Sequence, residues 1–173
     1  MEIKIRKEKE TDFSKVYELN ILAFEEKEEA VLVDHLRKND EFNPQLSLVA
    51  TLNDEIIGHI LFTKIKIIDD NRNESESLAL APMAVSPKYQ KKGIGGKLIN
   101  AGLKKAKELK FKSVIVLGHE HYYPKFGFVP TTRWNIKCPF EVPDNVFMGL
   151  ELVENGLKNV TGVVQYMKEF DGV

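Results

Sequence analysis

Cysteine is nearly absent from this chain. Of 173 residues only Cys138 carries a thiol, so no internal disulfide can form and stability has to come from a packed core. Net charge is equally thin: 25 basic residues stand against 26 acidic ones, a formal charge of −1, and nucleic acid meets no global basic field. Long apolar runs are missing too, none approaching the roughly 18 residues of a membrane span. The opening Met1-Glu2-Ile3-Lys4-Ile5-Arg6 alternates apolar and charged residues and has no signal-peptide core. These absences predict a cytoplasmic protein with neither nucleic acid nor membrane as partner. What is present is an ordinary globular mixture, 43% apolar and 29% charged, of a length that suits a single domain over residues 1–173.

Periodicity then divides the chain. Ile3 and Ile5 alternate with charged neighbours and predict a half-buried first strand. Thr11 or Asp12 is placed to cap a helix that turns Phe13, Val16, Leu19, Ala23 and Phe24 to one side. The acidic stretch Glu25 to Glu29 leads into a second helix with Ala30, Val33 and Leu36 inward. Ser47 to Leu52 and Glu55 to Ile68 predict strands joined at Asn53-Asp54, followed by a polar hairpin loop over Asp69 to Glu76. The unbroken apolar segment Leu78 to Val85 fits a central strand covered on both faces. Ile94, Leu98, Gly102, Ala106 and Leu109 line a third helix, and Ser113 to Leu117 reads as a buried strand. Pro124 is tolerated only in a first helical turn, which predicts a short helix near Tyr123 to Phe126. Arg133 to Asp144 reads as a loop. Phe147 to Leu152 and Thr161 to Tyr166 read as closing strands around an Asn155-Gly156 turn. The order β-α-α-β-β-β-α-β-α-β-β predicts a mixed α/β sheet with helices on both faces.

Between the central strand and the third helix lies Gln90-Lys91-Lys92-Gly93-Ile94-Gly95-Gly96. Glycines there let the backbone turn tightly, and the helix that follows aims free N–H groups and a positive dipole end at any anion held by the loop. A Walker loop is excluded, because Gly96-Lys97 is followed by Leu98 rather than a hydroxyl residue and Lys91 stands where the first glycine belongs. A dinucleotide fingerprint fails at Leu98, which replaces the third glycine, and Ser113 to Leu117 supplies no acidic residue for a ribose. The pattern Gln/Arg-x-x-Gly-x-Gly/Ala is met in full by Gln90, Gly93 and Gly95.

That last pattern resembles the acetyl-CoA loop of the GNAT superfamily of N-acetyltransferases. Other stretches fall in register with it: Met83-Ala84-Val85-Ser86-Pro87 before the loop, and Tyr123-Pro124-Lys125-Phe126-Gly127-Phe128 after the next strand. Gly58-His59-Ile60, Ala81-Pro82, Leu117-Gly118-His119 and Tyr122-Tyr123-Pro124 look like the YhbS-like bacterial subgroup, so the resemblance covers nearly the whole chain. It implies a mostly antiparallel central sheet with a V-shaped splay between two parallel strands, ending at Val85 and Leu117. Acetyl-CoA as cosubstrate would lay its pantetheine arm along the backbone of Met83, Ala84 and Val85. Its pyrophosphate would sit on Gln90, Lys91, Lys92, Gly93, Ile94, Gly95, Gly96 and Lys97, with Lys88 nearby, and Gly118 would leave room for the thioester.

The resemblance also assigns chemistry. Acetyl transfer to an amine needs a neutral nucleophile, a donor for the oxyanion and a proton for the departing CoA thiolate. Tyr123 aligns with the family tyrosine that supplies that proton, and Tyr122 is the alternative if the short helix starts a residue earlier. No carboxylate lies on Leu78 to Val85, so the base is open among His119, Glu120, His121, Glu25 and Glu26, with His119 first because imidazole titrates near neutrality. His119-x-His121 lacks further ligands for a metal, and none is expected. The expected activity is acetyl transfer to a primary amine of a small molecule or peptide by direct attack in a ternary complex, in a monomer or homodimer. The other reading is a CoA-binding sensor without catalysis.

Overall fold

A computed structural model describes residues 2–171. Within it the chain forms three α-helices and nine strands linked by short 3-10 turns, and no helix is long and apolar enough to cross a membrane. Among the described residues the paired strands run mostly antiparallel, with parallel pairs between Glu74–Val85 and Ser113–Leu117 and between Ile136–Lys137 and Gly162–Gln165. Backbone contacts group the residues into two compact units. Of the described residues, the first takes in 2–63, 81–105 and 168–171, the second 64–80 and 106–167.

In the first unit, β1 (Lys4–Lys7), β2 (Ser47–Leu52) and β3 (Glu55–Ile68, to Thr63 here) pair antiparallel, with Lys7 opposite Leu48 and Ser47 opposite Leu61. Successive β3 side chains point to opposite faces. Phe62 on one face packs at Gly102 of α3 (Ile94–Glu108), so closely that a Cβ on Gly102 would overlap the ring. His59 on the other face meets the polar group described next, which includes Arg37 at the end of α2 (Glu28–Leu36). Helices therefore cover both faces of this strand.

That polar group is buried. Glu8 accepts from Arg37 through Nη2 at 2.6 Å and Nε at 3.2 Å, and from Ser47 Oγ at 2.9 Å. Ser47 Oγ also lies 2.8 Å from Nε2 of His59, whose ring is wholly buried. Arg37 further pairs with Asp34 at 2.5 Å and rests 4.0 Å over the Phe13 ring. A carboxylate this deep is tolerable only with such charge-assisted bonds around it. Burial drives the His59 pKa down from 6.5 to about 4 against the pull of Glu8, so the ring is neutral at neutral pH.

α1 (Phe13–Phe24) begins after a 3-10 turn at Glu10–Asp12, but neither Thr11 nor Asp12 caps it by a side chain. The Asp12 carboxylate instead accepts from Arg6 at 2.6 and 3.0 Å and from the Lys9 N–H at 2.8 Å, because charged and backbone donors on its N-terminal side outcompete the helix. The buried stripe is Val16, Leu19 and Asn20, with Asn20 Nδ2 donating to Val16 O at 3.0 Å. The expected Phe24, in the last turn of the helix, is 36% exposed.

In the second unit, Ile65, Ile67, Ala79, Ile115, Ile136, Phe147, Leu157 and Val164 make the core, with Trp134, Cys138 and Tyr166 packed against it. β4 (Glu74–Val85) starts four residues before the apolar run. The polar residues 74–76 belong to the strand and not to the hairpin loop: Lys66 pairs with Glu74 at 3.2 Å and Lys64 with Glu76 at 3.9 Å, while Asp69 accepts the N–H of Asn71 and Asn73 to close a shorter turn. β5 (Ser113–Leu117) runs parallel to β4 with Leu78 opposite Val114 and Ala79 opposite Ile115; among the described residues no further β4–β5 pair follows, although both strands continue.

The closing strands correct the expected hairpin. β8 (Phe147–Glu151) pairs with β5 and with the two-residue β6 (Val129–Pro130). β9 (Gly162–Gln165) pairs antiparallel with β3 and parallel with β7 (Ile136–Lys137) instead. Gly162 permits this. Its φ is +128°, and a Cβ there would strike the Ile68 carbonyl, so only glycine lets β9 approach β3. The stretch read as a loop thus contains β7, held by Thr131 Oγ1 donating to Ile136 O at 2.7 Å.

Candidate active site

The glycine loop belongs to the first unit, after β4 and a 3-10 turn at Pro87–Tyr89. Lys91 and Gly93 take left-handed backbone, at φ +62° and +83°, which reverses the chain in few residues. The Lys97 N–H donates to the Gly93 carbonyl at 3.1 Å, so the amides of Ile94, Gly95 and Gly96 precede that bond at the start of a 15-residue helix. Such first-turn amides have no partner within the helix and suit an anion. Ile94 is buried and anchors the turn, while Gln90, Lys91, Lys92, Gly93 and Lys97 are exposed and Gly95 and Gly96 half-buried.

Gln90 braces this loop. Its side-chain Nε2 donates to the Val85 carbonyl at 3.0 Å, and Ser86 N–H donates to Ile57 O at 2.8 Å, so both ends of the β4-to-loop junction are fixed. Ala84 is buried, while Met83 and Val85 are half-buried. Lys88 is exposed, and Lys92 Nζ lies 5.8 Å from the Tyr89 ring centre.

The tyrosine pair belongs to the second unit. Pro124 sits in the first turn of a 3-10 helix at Tyr123–Phe126, as the sequence predicts, and Gly127 ends it at φ +99°. The N–H groups of Tyr122 and Tyr123 both donate to His119 O, at 3.1 and 3.3 Å. The two rings part there. Tyr123 is buried, edge-on to Tyr122 at 5.2 Å and to Phe128 at 5.7 Å between centroids. Tyr122 is half-buried and carries Lys125 Nζ 4.9 Å from its ring centre. Burial, with Tyr122 adding to it, pushes the Tyr123 phenol up to about 12, and the Tyr122 phenol also rises on burial. A phenol raised in this way is fully protonated at neutral pH and able to donate.

A Cβ built on Gly118 would run into the Tyr123 ring. His119 is exposed, and its Nδ1 accepts the His121 N–H at 3.2 Å, with the two rings tilted at 5.6 Å. Glu26, Glu28 and Glu29 gather their carboxylate oxygens within 4.8 Å of one another, giving the acidic run a defined position next to the start of α2.

The alignment of motifs is matched by known proteins. The model of the acetyltransferase (GNAT) family covers residues 13–128, and the chain belongs to that family. It is 36% identical over 135 residues, 78% of this chain and 74% of the relative, to the uncharacterized N-acetyltransferase YjhQ of Escherichia coli K12. In structure it is similar to YhbS of Escherichia coli, crystallised with CoA, at a TM-score of 0.89 and 29% identity over 98% of this chain and 92% of that one. A Brucella melitensis GNAT acetyltransferase crystallised with acetyl-CoA gives a TM-score of 0.79 at 29% identity, over 98% of this chain and 99% of that one. The mixed, mostly antiparallel sheet with three helices is the fold of this family, and the chain is accordingly an acyltransferase of the acetyl-CoA-dependent kind.

Proposed function

We propose that the protein transfers the acetyl group of acetyl-CoA to a primary amine of a small molecule or peptide, by direct attack within a ternary complex. The observation that carries this reading is the N-terminus of α3. There the amides of Ile94, Gly95 and Gly96 stand at the end of a glycine turn, flanked by the exposed Lys91, Lys92 and Lys97. These groups suit a pyrophosphate, with the backbone of Met83, Ala84 and Val85 left to meet the pantetheine arm. Relatives crystallised with CoA and acetyl-CoA support that choice of ligand. The matched family region takes in residues of both compact units, which supports treating residues 1–173 as one acetyltransferase domain.

In this reading the neutral amine attacks the thioester carbonyl, a tetrahedral oxyanion forms and collapses, and the C–S bond breaks. Tyr123 hands its phenolic proton to the departing sulfur. The amine nitrogen loses its proton to His119, once the exposed Nδ1 bond to His121 opens at a cost of about 0.5–1.5 kcal/mol. The products are the N-acetylated amine and CoA thiol. The acidic group at Glu26, Glu28 and Glu29 fits a cationic acceptor awaiting deprotonation.

The test is steady-state kinetics of Tyr123→Phe beside Tyr122→Phe. A loss confined to Tyr123→Phe, with the acetyl-CoA KM retained, supports the assignment. Equal wild-type turnover in both variants removes the phenol from the mechanism.

A further inference from the structure

Gly118 is the first residue after β5, and its own N–H is tied to Val146 O at 2.9 Å, so its Cα is fixed relative to the sheet. Directly above that Cα lies the ring of Tyr123; a Cβ at residue 118 would overlap Cε2 and stand 2.8 Å from Cδ2 and 3.3 Å from Cζ. Tyr122 and Phe128 also pack edge-on against the ring. The ring of Tyr123 thus meets Gly118, Tyr122 and Phe128, and Gly118 is the one of these three that meets it with bare backbone. Gly118 does not need glycine for its own conformation, since its φ lies outside the left-handed region. What it supplies is the absence of a side chain.

From this we infer that Gly118 is a positioning residue, whose missing Cβ seats the Tyr123 ring and so aims its hydroxyl. The inference rests on the reading of Tyr123 as proton donor and deepens it. The three contact atoms Cε2, Cδ2 and Cζ lie on one edge of the ring and include the carbon that bears the hydroxyl. Any group added at Gly118 must then shift the hydroxyl itself, and a proton donor displaced by about an ångström loses on the order of a hundredfold in rate.

The test is a double-mutant cycle of Gly118→Ala and Tyr123→Phe, with acetyl-CoA and the more active of spermidine and lysine amide as acceptor. Gly118→Ala is expected to lower kcat at least tenfold at unchanged acetyl-CoA KM. In the Tyr123→Phe background, where no hydroxyl remains to aim, it is expected to add nothing. Full kcat in Gly118→Ala, or an undiminished loss in the Phe background, overturns the inference. A silent Tyr123→Phe instead overturns the proton-donor reading itself. Thermal melting then judges the seat without any turnover: Gly118→Ala should melt lower than wild type, and should cost nothing further in a Tyr123→Ala background. An equal loss in both backgrounds would show that the ring is not what residue 118 must avoid.

Discussion

The side-chain amide of Gln90 donates a 3.0 Å hydrogen bond to the carbonyl of Val85, tying the first residue of the glycine loop to the last residue of β4. The bond lies at the surface and is worth about 0.5–1.5 kcal/mol. Gln90→Ala should therefore raise the acetyl-CoA KM by roughly two- to tenfold through a looser loop, with kcat nearly kept. Initial rates over a range of acetyl-CoA concentrations check this, and an unchanged KM would mean that the brace does not shape the loop.

Gly93 makes a different demand. Its φ is +83°, and the space where a Cβ would stand is open. Gly93→Ala meets no collision, only backbone strain of about 1–3 kcal/mol. The variant should fold, melt a few degrees lower and bind acetyl-CoA more weakly in calorimetry. Wild-type affinity would show that the loop tolerates another conformation.

Arg37 holds Glu8 with two guanidinium bonds in a site where both side chains are nearly inaccessible, at 8% and 2%. Removing one partner leaves a buried charge alone. Arg37→Ala should cost about 3–5 kcal/mol in urea unfolding. A loss under 1 kcal/mol would contradict the burial of this pair.

His59 gives stability a pH dependence of known sign. Its folded pKa is depressed from 6.5 to about 4, so between those values the unfolded chain binds the proton and the folded one does not. The stabilisation is complete above pH 6.5 and is lost as pH falls toward 4, by about 3 kcal/mol for a shift of this size. Wild type should lose that much more between pH 7 and pH 4 than His59→Gln does. Parallel losses would mean that other groups carry the acid sensitivity.

The local features of the site were legible in the sequence because each rests on a few consecutive residues. Gly93 and Gly95 before an amphipathic run announce a turn into a helix, Pro124 fixes the start of the Tyr123 turn, and Leu78 to Val85 announces a strand, though its end at Met83 and Val85 is only half-covered. Features that depend on distant partners were not legible. The Asn155-Gly156 turn suggests β8 as the mate of β9, yet β9 lies on β3, a choice made by the clearance at Gly162 against Ile68. Asp12 looks like a cap until β1 brings Arg6 beside it. Glu8, Arg37, Ser47 and His59 are scattered polar residues whose sequence gives no sign of convergence, and Gly118 discloses its role only when the Tyr123 ring is seen above it. The polar start of β4 looks like loop for a related reason, since cross-strand ion pairs make strand out of residues whose composition suggests a turn.

Acetyl transfer to an amine is tested most directly by CoA thiol release from acetyl-CoA by the purified protein, read with a thiol-reactive dye in the presence and absence of separate pools of polyamines, aminoglycosides, amino acids and lysine peptides. Release that depends on one of these pools, with an acetylated amine detectable by mass, is the expected result. Release that is equal with and without amine would contradict it and point to thioester hydrolysis instead.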